Sequence, residues 1–296
     1  MIQHPDCDKL TVVQGLENGF LGGPYEKGLT LPDGIAAEIT QIGKRTIELS
    51  SSHTRSGKDL FCAFQSLEKL LMLFDGRFYP IEHLHFGGQD QRDPDQDDAL
   101  SHEILDGRLW YYKSRDCFQN TCFKLISFQD VLTEDLFRKW SELQDQMDIA
   151  YQVLLYSMSD SRIPVDMMLA FLVELAEPFV EQIKDSTYFC QSLQPGQRGT
   201  TLKMCLDSII THFGTDVFGK ELNGNYTEFL DTAVGSRVRI MHIKKNQGKY
   251  FSAKDSVRYS MKLSLLYRIT LFELLGISYA EYKLALQKAV SNIDNW

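Results

Sequence analysis

The sequence contains few of the residues that mark secreted, fibrous or membrane-spanning proteins. Six cysteines and eight prolines are spread over 296 residues, and no C-x-x-C pair occurs. A disulfide framework needs more cysteines in a shorter chain, and a zinc site needs them closer together. The longest apolar runs, such as Leu169–Val173, are too short to cross a bilayer, and the N-terminus lacks the apolar core of a signal peptide. These deficits predict a cytoplasmic protein with reduced thiols and no membrane segment.

Positive charge is also scarce, except in one place. The chain has 31 basic and 40 acidic residues, a formal net charge of −9, which argues against a general nucleic-acid coat protein. Residues 237–268, which we name the basic segment, nevertheless hold nine basic residues and one acidic residue. The segment predicts a local anion-binding site; the alternative is a solvated helix face that balances acidic neighbours. Its basic residues are Arg237, Arg239, Lys244, Lys245, Lys249, Lys254, Arg258, Lys262 and Arg268.

The first 130 residues carry mostly strand signals. Apolar and polar residues alternate on both sides of Gly43, which predicts a hairpin with a glycine turn. One helix is predicted over residues 61–74, ended by Gly76, and residues 87–98 form a polar, acidic loop. The predicted strands are residues 10–13, 35–41, 45–50, 77–85, 108–113 and 121–128.

From Thr133 onward the apolar residues recur with the helical period. A helix from Pro164 must kink or end near Pro178, because that residue cannot donate a hydrogen bond to the carbonyl of Glu174. Asn225 followed by Glu228 has the spacing of a capping box and predicts the start of another helix. The predicted fold is therefore α+β, with a strand-rich domain over residues 1–129 and an all-α bundle over residues 130–296.

Arg237 and His242 form an R-x4-H pair at the start of the basic segment. Histidine exchanges a proton near neutral pH, and arginine offers a permanent planar charge to a phosphate, so the pair could cleave RNA without a metal. Five residues along an ideal helix turn through about 500°, which leaves the two side chains about 140° apart. Either the helix ends before His242, or a partner chain completes the site.

The helical half shows an ordered set of features. These are a long helix carrying Trp140, an acid-bearing helix over residues 171–177, the pair Arg237 and His242 after a helix, and a final long helix reading residues 265–277. In this order they resemble the HEPN superfamily (higher eukaryotes and prokaryotes nucleotide-binding), and within it the Apea-like HEPN group. The resemblance covers a little over half of the chain.

The resemblance implies a metal-independent endoribonuclease of a bacterial defence or toxin system, whose site forms across a homodimer. It implies that Arg237 and His242 are catalytic and that Glu177 holds the arginine. The alternative is a non-catalytic HEPN module that binds a nucleotide or a partner protein. Val238 favours this alternative, because the family typically has asparagine or another polar residue there. The residues expected to bind RNA are Arg239, Lys244, Lys245 and Lys249.

No cofactor or metal is expected. His83 and His85 should lie on one face of a strand, but no third ligand has a suitable spacing. No Walker or dinucleotide glycine pattern occurs. For the strand-rich domain we expect a sensor role, in which it binds a regulatory protein or ligand.

Overall fold

The structure is a computed structural model. It describes residues 6–15, 25–42, 44–77, 79, 81–87, 123–147, 149–158, 163–183, 201–243 and 248–296. The chain divides into two compact units, which we name the sheet unit and the helical unit. The sheet unit is Met1–Phe118 with Ser127–Glu142, and the helical unit is Gln119–Ile126 with Leu143–Trp296.

The sheet unit contains a five-stranded antiparallel sheet in the order β2-β3-β4-β1-β5. The predicted hairpin is confirmed, since β3 and β4 pair antiparallel with Ile42 opposite Lys44, while Gly43 lies outside the described residues. The predicted strand at residues 10–13 lies inside β1. The strands are β1 (Asp6–Gln14), β2 (Tyr25–Thr30), β3 (Ala36–Ile42), β4 (Lys44–Ser56) and β5 (Ile81–Gly87).

Helix α1 (Gly57–Asp75) contacts β1 and β4, and it ends at Gly76 in the left-handed region, as the sequence predicts. At one end of the buried sheet face, three buried polar residues replace the apolar ones. Arg45 of β4 lies there opposite Gln14 of β1 on one side and Gln41 of β3 on the other. Arg45 Nη2 donates a 2.8 Å hydrogen bond to Asp75 Oδ2 of α1. No sequence pattern predicts this buried ion pair.

Among the described residues, the helical unit contains eight whole helices and the last residues of the helix that begins at Glu134 in the sheet unit. Helix α5 contacts both α9 and α10, and Tyr267 of α10 donates to the carbonyl of Leu172 in α5. The helices that follow β5 are α2 (Phe128–Val131), α3 (Glu134–Met147), α4 (Ile149–Met158), α5 (Val165–Glu174), α6 (Ala176–Ile183), α7 (Leu202–Phe213), α8 (Gly219–Leu222), α9 (Tyr226–Met241), α10 (Ala253–Leu274) and α11 (Tyr279–Asp294).

Two local sequence signals set helix boundaries as predicted. Helix α5 ends at Glu174, four residues before Pro178, and the chain resumes as α6 after a turn at Leu175. The side chain of Asn225 accepts a hydrogen bond from the backbone N–H of Glu228 and so caps α9. The α+β fold class is confirmed, with the sheet first and a mostly helical part after it.

Other boundaries differ from the sequence expectations. Residues 123–127 form no strand, and Phe128 begins the single-turn helix α2, so the strand predicted over residues 121–128 is wrong for its described part. The strand predicted over residues 77–85 begins only at Ile81. The first part of α3, through Glu142, belongs to the sheet unit, whereas the sequence assigns it to the helical domain. The strand predicted over residues 108–113 and nearly all of the acidic loop lie outside the described residues.

Within the described ranges, no helix combines the length and the apolar composition needed to cross a membrane.

Candidate active site

The candidate site lies where α9 ends. The last helical residue is Met241, and His242 follows as the C-cap with a backbone N–H that donates to the carbonyl of Val238. Ile243 then takes a positive φ of 52°, which is rare for a β-branched residue and does not continue a right-handed helix. Of the two geometries that the sequence left open, the structure has the first: the helix ends before His242.

This ending brings Arg237 and His242 together within one chain. Arg237 Nη1 lies 3.2 Å from His242 Nε2. Arginine has no acceptor, so the contact is a hydrogen bond only if Nε2 carries the lone pair and the proton sits on Nδ1. The His242 side chain is exposed, and the Arg237 side chain is 19% exposed. The pair is therefore open to solvent on the histidine side and supported by protein on the arginine side.

That support comes from Glu174, the last residue of α5. Arg237 Nε donates to Glu174 Oε2 at 2.5 Å, and Arg237 Nη2 donates to Glu174 Oε1 at 2.9 Å. This two-bond arrangement fixes the plane of the guanidinium. These hydrogen bonds to Glu174 are the largest cause of a raised pKa of Arg237. The side chain is thus held charged and in one orientation.

Glu177, the acid that the resemblance assigns to this role, lies elsewhere. Its side chain is exposed on α6 and makes no ion pair with Arg237, although its charge adds slightly to the raised pKa of the arginine. The structure therefore puts Glu174 in the place expected for Glu177. The reason is the break at Leu175, because Glu174 ends one helix and Glu177 begins the next.

A signal for Glu174 was available in the sequence. A carboxylate in the last turn of a helix opposes the helix dipole and usually weakens the helix. Pro178 predicts a kink or an end of this helix, and the structure has the end at Glu174, where a helix alone disfavours an acid. A basic partner from another helix removes that conflict, and Arg237 is this partner.

The basic segment does not form one charged surface. Two of its members, Lys262 and Arg268, are buried, and Lys262 Nζ contacts both Glu221 and Asp294 at 2.8 Å. Lys249 is exposed but pairs with Glu228 of α9. Arg239 is exposed, with its guanidinium 3.9 Å from the ring centroid of Tyr250. Lys244 and Lys245 lie outside the described residues.

A glycine in α9 holds the chain that follows the site. A Cβ on Gly235 would lie 2.1 Å from the backbone oxygen of Lys249, so only glycine permits this close approach. The neighbouring Ser236 is buried, and its hydroxyl accepts a hydrogen bond from the backbone N–H of Phe251. These two residues fix Lys249 and Tyr250 beside α9.

The remaining candidate residues form no second site. His83 and His85 are both exposed on β5, on one face as the strand pattern predicts. Among the residues that the structure describes, no group of three or more histidine, cysteine, aspartate or glutamate side chains could hold a metal ion. Val238, beside Arg237 in sequence, is half-buried and offers no polar group.

Comparisons of the chain with family models, with curated proteins and with solved structures found no match. The resemblance to the HEPN superfamily thus stays a prediction from the sequence.

Proposed function

We propose that the chain is a metal-independent endoribonuclease of HEPN type. The observation that supports this most is the 3.2 Å contact between Arg237 and His242. A proton-transferring ring and a fixed positive charge meet at a solvent-open helix end, and these are the two groups that cleavage by a neighbouring 2′-OH requires.

Arg237 retains N–H donors that can bind a phosphate. A guanidinium has five N–H donors, and three of them point at Glu174 and His242. The two that remain, one on each terminal nitrogen, can donate to the non-bridging oxygens of a phosphate. As the phosphorane develops extra negative charge, those hydrogen bonds strengthen and lower the barrier.

The histidine performs the proton transfer in this proposal. A phosphate that draws Arg237 Nη1 away from His242 frees the lone pair of Nε2. The imidazole then accepts the proton of the 2′-OH, or its protonated form gives a proton to the departing 5′ oxygen. The products carry a 2′,3′-cyclic phosphate and a 5′-OH.

A second function belongs to a different class: a non-catalytic HEPN module that binds a nucleotide or a partner protein. Val238 favours it, because no polar side chain stands next to Arg237 in the sequence to orient substrate. The engagement of Arg237 by Glu174 also favours it, because the carboxylate offsets the positive charge that a phosphate would meet.

Incubation of the full chain with end-labelled RNA in EDTA separates the two functions. The nuclease gives cyclic-phosphate products, and it leaves intact an otherwise identical strand whose 2′-OH groups are absent. Equal cutting of RNA and DNA would exclude the proposed chemistry. Absence of cleavage together with measurable binding of RNA or a nucleotide would establish the second function instead.

We further propose that the protein is a cytoplasmic homodimer of a bacterial defence or toxin system, in which a regulatory protein or ligand acts on the sheet unit. The contact of Arg237 with His242 removes the geometric need for a partner chain, so the dimer rests on the family resemblance alone. Light scattering at micromolar concentration should give twice the 34.0 kDa mass of the chain. A mass of one chain would contradict the dimer.

A further inference from the structure

The helical unit contains a cavity whose lining residues include neither Arg237 nor His242. It has a volume of about 240 Å³ and is lined by the end of α7, the turn that follows, α10 and α11. Its size is below the roughly 300–1,000 Å³ of sites for drug-sized ligands. The cavity therefore suits a small molecule.

The polar groups of this cavity are mainly acceptors. Asp216 and Glu273 line it, and each accepts one hydrogen bond from a tyrosine: Tyr279 donates to Asp216 Oδ2 at 2.5 Å, and Tyr282 donates to Glu273 Oε1 at 2.7 Å. The hydrogen bond to Asp216 raises the pKa of Tyr279 to about 12, so this phenol keeps its proton at neutral pH. Within the described part of the chain, the second oxygen of each carboxylate has no hydrogen-bond donor and can accept from a ligand.

The remaining walls are aromatic and apolar. The rings of Tyr279 and Tyr282 stand edge to face with centroids 5.5 Å apart, and Phe213 and His212 also line the space. Lys283 already places its ammonium 5.5 Å from the centroid of Tyr279, so a ring of this cavity lies within reach of a cation. Carboxylates beside aromatic rings favour a ligand that combines a positively charged group with an apolar part.

We propose that this cavity binds a small organic cation, a primary ammonium or guanidinium compound, whose N–H groups donate to Asp216 and Glu273. A donor-rich cation satisfies both free carboxylate oxygens, while its carbon chain packs on the rings. A metal ion is a poorer occupant, because the described residues supply two carboxylates and no third clustered ligand. The proposal does not depend on the ribonuclease activity.

Titration of the full chain with butylamine and with agmatine, followed by ligand-observed NMR at pH 8, tests this binding. Both amines should bind saturably, whereas 1-butanol, the neutral molecule of the same size as butylamine, should not. Absence of saturable binding by both amines, or equal binding of butylamine and 1-butanol, would overturn the proposal.

Amide variants test the named carboxylates. Glu273→Gln keeps an acceptor for Tyr282 but removes the charge, so it should weaken amine binding roughly ten- to a hundredfold. Asp216→Asn, at an exposed position that tolerates change, should weaken it in the same direction and serves if Glu273→Gln fails to fold. Glu281→Gln makes the same change on the exposed side of α11 and should leave binding unaltered. Wild-type affinity in both amide variants of the cavity would exclude it as the site.

Discussion

Arg237 receives its orientation from a carboxylate and presents its remaining donors beside a histidine. Glu174 engages one edge of the guanidinium with two hydrogen bonds, and His242 accepts from the opposite terminal nitrogen. Removing the carboxylate would free the arginine to rotate, and the contact with His242 would then no longer be fixed. Glu174 is thus a positioning residue for the proposed cleavage.

Glu174→Gln should lower kcat for RNA cleavage roughly ten- to a hundredfold, since a hydrogen bond to a charged group is worth about 1.5–3 kcal/mol. KM should not rise, because the loss of a negative charge next to Arg237 favours phosphate binding. Glu177→Gln is the matched control, and it should keep nearly full activity because Glu177 makes no ion pair with Arg237. The reverse order of the two variants in steady-state cleavage assays would reassign the role to Glu177.

The sequence predicted the two principal residues of this site but not how they meet. The R-x4-H spacing pointed to Arg237 and His242, and their contact forms where α9 ends at Met241 with His242 as its C-cap. The missed partner, Glu174, comes from another helix 63 positions away. The local pattern indicates that an acid at this helix end favours a basic partner, but it does not say which one; the packing of α5 against α9 brings Arg237 to it.

At the scale of elements, the chain that follows α9 packs against this helix so closely at one point that no side chain fits between them. Gly235 lets the backbone of Lys249 approach α9, and Ser236 binds the next turn through Phe251. This close packing positions the segment that carries Tyr250. It thereby also positions the Tyr250 ring beneath the guanidinium of Arg239.

Gly235→Ala should destabilise the protein by about 1–3 kcal/mol, because a Cβ only 2.1 Å from the oxygen of Lys249 forces the segment away from α9. Gly219→Ala is the matched control: its added Cβ meets nothing within 4 Å, so its effect should stay within about 0.5 kcal/mol. Urea unfolding followed by circular dichroism measures both. Equal stability of the two variants would show that the close approach is absent in solution.

Elements with a local cause were predictable, and elements that depend on a distant partner were not. Pro178 ends α5 and Asn225 starts α9 through contacts within a few residues, so the sequence contained the whole cause. Residues 123–127 are rich in apolar side chains, as a buried strand is, yet none of the five described strands pairs with them. Apolar composition indicates which side chains can be buried, while strand pairing is decided by where the rest of the sheet lies.

Over the whole molecule, the basic segment serves two different purposes. Lys262 is fully buried, and it pairs with Glu221 of α8 and Asp294 of α11, so its charge holds three helices together. Arg239 and Lys254 are exposed, and Lys249 is exposed but paired with Glu228. A count of charges along the sequence cannot separate these roles, because a buried lysine looks the same as an exposed one.

Lys262→Met should destabilise the protein by about 3–5 kcal/mol, since it leaves two largely buried carboxylates without their cation. Lys220→Met is the control, because Lys220 is exposed and reaches Asp294 only at 3.4 Å. A long ion pair whose lysine is exposed contributes about 0–1 kcal/mol. If the two variants unfold at the same urea concentration, Lys262 is not the buried link that the structure indicates.

Stability should also fall at alkaline pH. Burial raises the pKa of Tyr25 to about 12 and that of Tyr259 to about 12, whereas a tyrosine in an unfolded chain titrates near 10. The folded state favours the neutral phenol, so this stabilisation is complete below about pH 10 and is lost as the pH rises towards 12. The urea midpoint should therefore drop over that range, and Tyr25→Phe should reduce the drop. An equal drop of the urea midpoint in Tyr25→Phe would show that ionisation of Tyr25 does not cause the loss of stability.

The most direct test of the proposed site is to compare Arg237→Ala, His242→Ala and the double variant in RNA cleavage with EDTA present. General acid–base catalysis is worth about 10²–10⁴-fold, so each single change should abolish most activity while the chain stays folded. Because the two side chains act as one unit, the double variant should lose little more than either single variant. Wild-type cleavage by His242→Ala, or a double variant whose loss equals the product of the two single losses, would contradict a site built from the contact between Arg237 and His242.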